Sequence, residues 1–80
     1  MNKNYLPLFE VNVGSEARIS ELLSIGLSRR RMLDLGLIPG TIINVIRKSP
    51  LGDPIAYNIR GALIALRKEE AKQILVSKIN

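Results

Sequence analysis

The stretch RRRMLDLGLIPG, residues 29–40, decides how this chain folds, because it reads as a short helix that stops abruptly and continues as a strand. We expect the helix to span residues 28–35, with the Ser28 hydroxyl capping its first free amides. Gly36 suits the left-handed position just after a helix, and Leu37 falls where a Schellman ending places its hydrophobic residue. The Pro-Gly pair that closes the stretch is typical of a type II turn. The stretch therefore predicts a fixed corner between a helix and a strand.

Alternation of apolar and polar residues, with β-branched residues in the apolar positions, predicts five short strands around this corner. They cover residues 15–23, 41–48, 55–60, 62–66 and 74–79. A single polar helical turn, residues 68–73, precedes the last strand. The pattern predicts a mainly β fold: a small, strongly bent, five-stranded antiparallel barrel with one short helix after the first strand and one helical turn before the last.

The chain contains no cysteine and no histidine, so it lacks thiolate and imidazole ligands and the commonest catalytic base. We therefore expect no enzyme, no cofactor and no transition-metal site, while the scattered carboxylates leave a weak or partner-dependent oxygen site open. No apolar run is long enough to span a bilayer or to form a signal peptide. We expect a single cytoplasmic domain over residues 1–80, without direct membrane insertion.

The charge balance, 12 Lys and Arg against 7 Asp and Glu, gives a formal net charge of +5 and favours an acidic partner. One reading is a small basic barrel that binds nucleic acid. Against it, a binding platform for single strands needs aromatic rings on which bases stack, and the chain has only Tyr5, Phe9 and Tyr57. A salt titration separates the two kinds of partner, because phosphate-driven affinity falls steeply as salt rises.

Candidate partner-binding residues come from the strand alternation and from the loops. If Ile43 and Val45 face the core, the outward residues of the same strands include large aliphatics, which often mark an interface. Two alternatives stay open: the N-terminal segment could cover these residues, and the carboxylate in the loop 49–54 could cap that loop's own amides as an Asx-turn. The predicted partner-binding set is Ile42, Ile46, Leu51, Asp53, Leu63 and Arg29.

Four motifs carry a resemblance to a known family. They are RMLDLGLIPGT at 31–41, SPLGDP at 49–54, RG at 60–61 and ALRKEEA at 65–71. In order and spacing they resemble the ferrous iron transport protein A (FeoA) family over most of the chain. The resemblance implies an SH3-like barrel. It also implies a small cytosolic accessory protein of ferrous iron uptake, whose partner is a membrane ferrous-iron permease with a GTPase domain (FeoB type).

Overall fold

A curved antiparallel sheet of six strands forms the body of the protein. The computed structural model describes residues 4–79. The strands lie side by side in the order β1-β6-β2-β3-β4-β5, and each neighbouring pair is antiparallel. Their bounds are β1 Tyr5–Pro7, β2 Glu16–Leu22, β3 Ile42–Lys48, β4 Ile55–Ile59, β5 Ala62–Leu66 and β6 Ile74–Lys78. The mainly β, antiparallel class predicted from the sequence is confirmed, with one strand more than the five expected.

The additional strand is β1, which pairs with β6 and places Leu6 opposite Val76. Its sequence, Tyr-Leu-Pro, gives no strand signal because proline cannot donate to a ladder. Pro7 is tolerated here because β1 is the edge strand of the sheet, where one side of the backbone needs no partner. A 3-10 turn, Leu8–Glu10, follows directly and buries Leu8.

One hydrophobic core fills the concave side of the sheet. The alternation predicted for β3 is confirmed, since Ile43 and Val45 are buried while their neighbours Ile42 and Ile46 are exposed. Tyr57 lies fully buried near the middle of this core. The core consists of Leu8, Val11, Ala17, Ile19, Leu22, Met32, Leu37, Ile43, Val45, Ile55, Tyr57, Ile59, Leu66, Ala71, Ile74 and Val76.

The helix α1, Gly26–Asp34, begins earlier than the sequence predicted. The N-cap position is Ile25, and it makes no side-chain capping hydrogen bond, so the prediction of Ser28 as the cap is wrong. Gly26 has a positive φ of 63°, and the change of chain direction at this glycine lets the helix begin two residues before Ser28. Ser28 consequently lies inside the first turn, where its side chain is exposed.

The end of α1 is the Schellman motif that the sequence predicted. The Leu37 amide donates to the Met32 carbonyl at 3.0 Å, and the Gly36 amide donates to the Leu33 carbonyl at 3.0 Å. Gly36 has a φ of 96°, and both Met32 and Leu37 are buried. The following Pro-Gly pair makes the predicted turn, in which the glycine has a φ of 97°. The helix end and the turn together therefore fix the direction in which β3 leaves the helix, as predicted.

The β4–β5 hairpin closes with a tighter turn than its sequence suggests. Arg60 and Gly61 both have positive φ, 53° and 88°, as the two central residues of a type I′ turn require. The Gly61 amide donates to Oδ1 of Asn58 at 3.1 Å, which supports the turn. A short helix α2, Lys68–Ala71, then leads into β6, as the polar turn before the last strand predicted.

Candidate partner-binding surface

The outward side of β3, β4 and β5, here called the outer face, carries three of the predicted residues. Ile42, Ile46 and Leu63 expose 40%, 39% and 60% of their surface. The N-terminal segment does not cover them: β1 lies at the opposite edge of the sheet from β5, and Leu8 is buried in the core. The alternative in which that segment shields the outward aliphatics is therefore wrong.

A polar pair interrupts the apolar residues of the outer face. The register places Asn44 opposite Asn58, and Asn58 opposite Leu63, in one row across the three strands. Ile42 pairs with Arg18 of β2, and Ile46 lies at a bulge where the β3–β4 register shifts. The three aliphatic side chains thus surround a polar centre in which Asn44 donates to Glu16 and Asn58 accepts from the Gly61 amide.

A shallow groove crosses the next row of the same face. Arg47 pairs with Ala56, and Ala56 pairs with Ala65, so two small side chains form the floor beside one guanidinium. Ser49 and Pro54 complete the lining. Sequence reasoning did not select these residues, because alanines on an outward face give no signal until the register brings them into one row.

The 49–54 loop presents Leu51 to solvent and is fastened to the fold by Asp53. Leu51 is 94% exposed, the largest exposure among the large hydrophobic residues of the described chain. Oδ1 of Asp53 accepts a hydrogen bond from the Lys68 amide at 2.9 Å, so the carboxylate is the acceptor for the first amide of α2. The Asx-turn, which the sequence left open as an alternative, is replaced by this longer-range contact, which ties the loop to α2.

Arg29, the remaining predicted residue, lies on α1 and not on the outer face. Its Nη1 donates to the Leu22 carbonyl at 3.1 Å, which joins the helix to the end of β2. Arg31, two residues further along α1, forms an ion pair with Glu70 of α2. The structure therefore gives two members of the arginine run contacts within the fold, while Arg30 is exposed.

A second exposed apolar surface, which the sequence did not predict, runs from the residues after β2 into the first turn of α1. This 23–27 segment exposes Leu23 by 44%, Ile25 by 82% and Leu27 by 88%. Leu27 precedes Arg30 and Arg31 by three and four residues, so the three side chains share one side of the helix. From the sequence alone, apolar residues beside a glycine could equally belong to the core. Only the folded structure shows that nothing in residues 4–79 covers them.

Three carboxylates of the described chain take part in separate contacts. Glu16 accepts a hydrogen bond from Asn44, Asp53 serves the Lys68 amide, and Glu70 bonds both Arg31 and the Arg67 amide. Across residues 4–79, no three His, Cys, Asp or Glu side chains gather where they could hold a metal ion. The same part of the chain has no helix long and apolar enough to cross a membrane.

Comparison with known proteins gives a consistent result. The model of the FeoA domain family matches residues 6–78. A curated relative, the Fe(2+) transport protein A/Fe(2+) transporter FeoB fusion protein of Porphyromonas gingivalis, is 36% identical over 73 residues. That match covers 91% of this chain but only 9% of the fusion protein, so this chain spans about a tenth of the relative's length.

Solved structures share the fold over nearly the whole chain. The FeoA-like protein of Clostridium acetobutylicum superposes with a TM-score of 0.90 at 39% identity, covering 100% of this chain and 92% of that one. The zinc complex of FeoA from Stenotrophomonas maltophilia, described as a procaryotic SH3 domain protein, gives a TM-score of 0.78 at 26% identity. Its match covers 88% of this chain and 87% of that one. The SH3-like class expected from the sequence is thereby confirmed.

Proposed function

Because this chain belongs to the FeoA domain family, we propose that it is an accessory protein of ferrous iron uptake that binds the cytosolic part of an FeoB-type permease. One observation carries the proposal: in the Porphyromonas gingivalis relative, a domain 36% identical to this chain belongs to the same polypeptide as an Fe(2+) transporter. Fusion holds two domains at a high effective concentration, which is useful when their separate interaction is weak. A contact between the two domains then requires an interface on this chain.

The outer face and the 49–54 loop provide the proposed interface. Leu51 and Leu63 are the most exposed of the predicted aliphatics, and aliphatic anchors supply affinity when a partner excludes water from them. Surplus positive charge speeds the encounter with an acidic surface more than it adds affinity. A face of this size forms only a small interface, so the complex is transient, with a dissociation constant of roughly micromolar order.

The alternative of nucleic-acid binding has little support in the fold. Tyr57 is buried in the core, and Phe9 is half-buried with the Lys68 ammonium over its ring at 5.2 Å. Tyr5 is the remaining aromatic residue of the chain, and one exposed ring does not make a stacking platform. A protein is therefore the better supported partner than a nucleic acid.

We also propose that the isolated chain holds neither iron nor zinc tightly and performs no catalysis. Imidazole and thiolate ligands are missing from the sequence, and the carboxylates Glu16, Asp53 and Glu70 are spread among separate contacts. Ferrous iron is then the cargo of the partner permease, and this chain acts on the transporter and not on the ion.

Binding to the purified cytosolic domain of an FeoB-type permease tests the proposal. We expect Leu51→Asp and Leu63→Asp each to weaken affinity by about tenfold, the loss of one well-packed apolar contact. The thermal midpoint should stay within a few degrees, because both side chains are largely exposed.

The matched control is Leu27→Asp, which places the same charge on the 23–27 segment, where the exposure is 88%. We expect this variant to bind as the unmodified protein does. Loss of binding by Leu27→Asp alone would transfer the interface to α1, and failure of the unmodified chain to bind at all would overturn the proposed function.

A further inference from the structure

The edge strand β5 lacks the features with which natural sheets protect an edge. Protected edges carry charged side chains or proline, or they are covered by another segment. The sequence of β5 is Ala-Leu-Ile-Ala-Leu, which has neither charge nor proline. It pairs with β4 on one side, and no strand within residues 4–79 pairs with its other side.

The hydrogen-bond pattern identifies which backbone groups of this edge are open. In a two-residue hairpin the residues beside the turn, here Ile59 and Ala62, form a hydrogen-bonded pair, and such pairs alternate along the ladder. The amides and carbonyls of Ala62, Ile64 and Leu66 therefore face β4. Those of Leu63 and Ala65 face the open side.

The amides on either side of this open stretch already have acceptors. The Gly61 amide donates to Oδ1 of Asn58 at 3.1 Å, and the Arg67 amide donates to Oε1 of Glu70 at 2.9 Å. The open edge is thus limited to two N–H groups and two carbonyls, from Leu63 and Ala65. A short extended segment can satisfy all four, which is the basis of recognition by strand addition.

We propose that β5 is a docking edge at which a partner protein adds an extended segment as a seventh strand. Main-chain hydrogen bonds to Leu63 and Ala65 would hold the segment. One of its side chains would lie beside Ala65, next to the groove whose floor is Ala56 and Ala65, where the small residues leave room for a large apolar group.

Charge at the two ends of β5 selects the occupant. A second copy paired antiparallel about Ile64 would bring the exposed Arg60 of each copy towards Arg67 and Lys68 of the other at both ends, and like charges at close range repel. Arg60 and Arg67 instead suit an apolar segment that begins and ends with acidic residues. The identity of the partner rests on the proposed function, whereas the mode of docking does not.

A synthetic peptide, capped at both ends, with the sequence Glu-Val-Thr-Val-Thr-Val-Glu tests the docking edge on the unmodified protein. We expect amide resonances of Leu63 and Ala65 to shift on titration and their hydrogen exchange to slow. A matched peptide with lysine at both ends should bind about fivefold more weakly at low salt, the effect of two exposed ion pairs.

The variant Ala65→Pro removes one open N–H while leaving the ladder to β4 intact, and proline is tolerated at such edge positions. We expect it to lose peptide binding at least tenfold, whereas Ala65→Ser retains it. If Ala65→Pro does not fold, the resonance mapping on the unmodified protein still decides. Shifts confined to residues 23–34, or none at millimolar peptide, would overturn the proposal. Sedimentation showing a dimer that Ala65→Pro dissociates would make a second copy the occupant and equally overturn it.

Because this experiment uses no permease, its outcome is separate from that of the proposed function. Peptide binding without permease binding would leave the docking edge intact and remove the proposed partner. If the chain binds the permease but its β5 edge does not bind the peptide, the proposed function stands and the docking edge is overturned.

Discussion

Tyr57 is the one polar side chain at the centre of the core, and its hydroxyl has no hydrogen-bond partner within the described chain. Burial raises the pKa of that hydroxyl above its ordinary value, because the charged phenolate is poorly solvated inside the core. A buried hydroxyl without a partner costs stability relative to a phenyl ring of the same shape. Alternation along β4 places this residue on the buried side, but the sequence does not show that its hydroxyl is unpaired.

We expect Tyr57→Phe to increase the free energy of unfolding by about 1 kcal/mol, measured by denaturant titration at neutral pH. The gain should grow at alkaline pH. The folded-state pKa is raised, so the unfolded chain ionises first, and the native protein loses stability as the pH rises above about 10. The phenylalanine variant lacks this part of the loss. A decrease of 1 kcal/mol at neutral pH would show that the hydroxyl is bound after all.

Among the helices and strands, the end of α1 matters most, because the chain has to leave the helix there before it can continue as β3. Gly36 has a φ of 96°, and a Cβ built there would lie 3.6 Å from Cγ2 of Ile59, an ordinary contact distance. The requirement for glycine is therefore conformational and not a matter of space. Alanine at this position has to adopt a left-handed conformation that L-residues avoid.

We expect Gly36→Ala to lower the free energy of unfolding by about 1 kcal/mol or more, read from the denaturant midpoint at unchanged slope. Ser28→Ala is the matched control: because Ser28 lies inside the helix, alanine there should be neutral or slightly stabilising. A cost of about 1 kcal/mol at Ser28 would instead restore its role as the cap. A neutral Gly36→Ala would show that the corner does not depend on the left-handed residue.

The helix and strands that were predicted correctly are those that depend on local sequence patterns. The helix stop and the five predicted strands depend on turn residues and on alternation, both of which are visible in the sequence. The strand β1 was missed and the type of the turn at Arg60 was not predicted, because their residues are atypical: a proline in a strand, and an arginine with a positive φ. The first depends on a distant part of the chain, because β1 pairs with β6, and the second depends on the pairing of β4 with β5 on either side of the turn.

The candidate surface was predictable only in part for the same reason. Outward positions such as Ile42 and Leu63 follow from alternation alone. The interrupting Asn44–Asn58 pair, the groove at Ala65 and the open edge of β5 depend on the register between strands, which sequence patterns do not specify. Two of the predicted polar residues, Asp53 and Arg29, turned out to make contacts within the fold.

At the scale of the whole molecule, the chain presents two separate apolar surfaces on a basic protein. One is the outer face with the 49–54 loop and the β5 edge, and the other is the 23–27 segment, which includes the start of α1. The proposed function assigns the first surface to the permease. Its open backbone groups add directional hydrogen bonds to the apolar contact, whereas the described structure shows no comparable strand edge at the second.

Hydrogen exchange of this chain, measured with and without the cytosolic domain of an FeoB-type permease, tests this assignment most directly. We expect slower exchange in the 49–54 loop and at the amides of Leu63 and Ala65, with no change at residues 23–34. Protection confined to residues 23–34, with β5 exchanging as in the free protein, would contradict it.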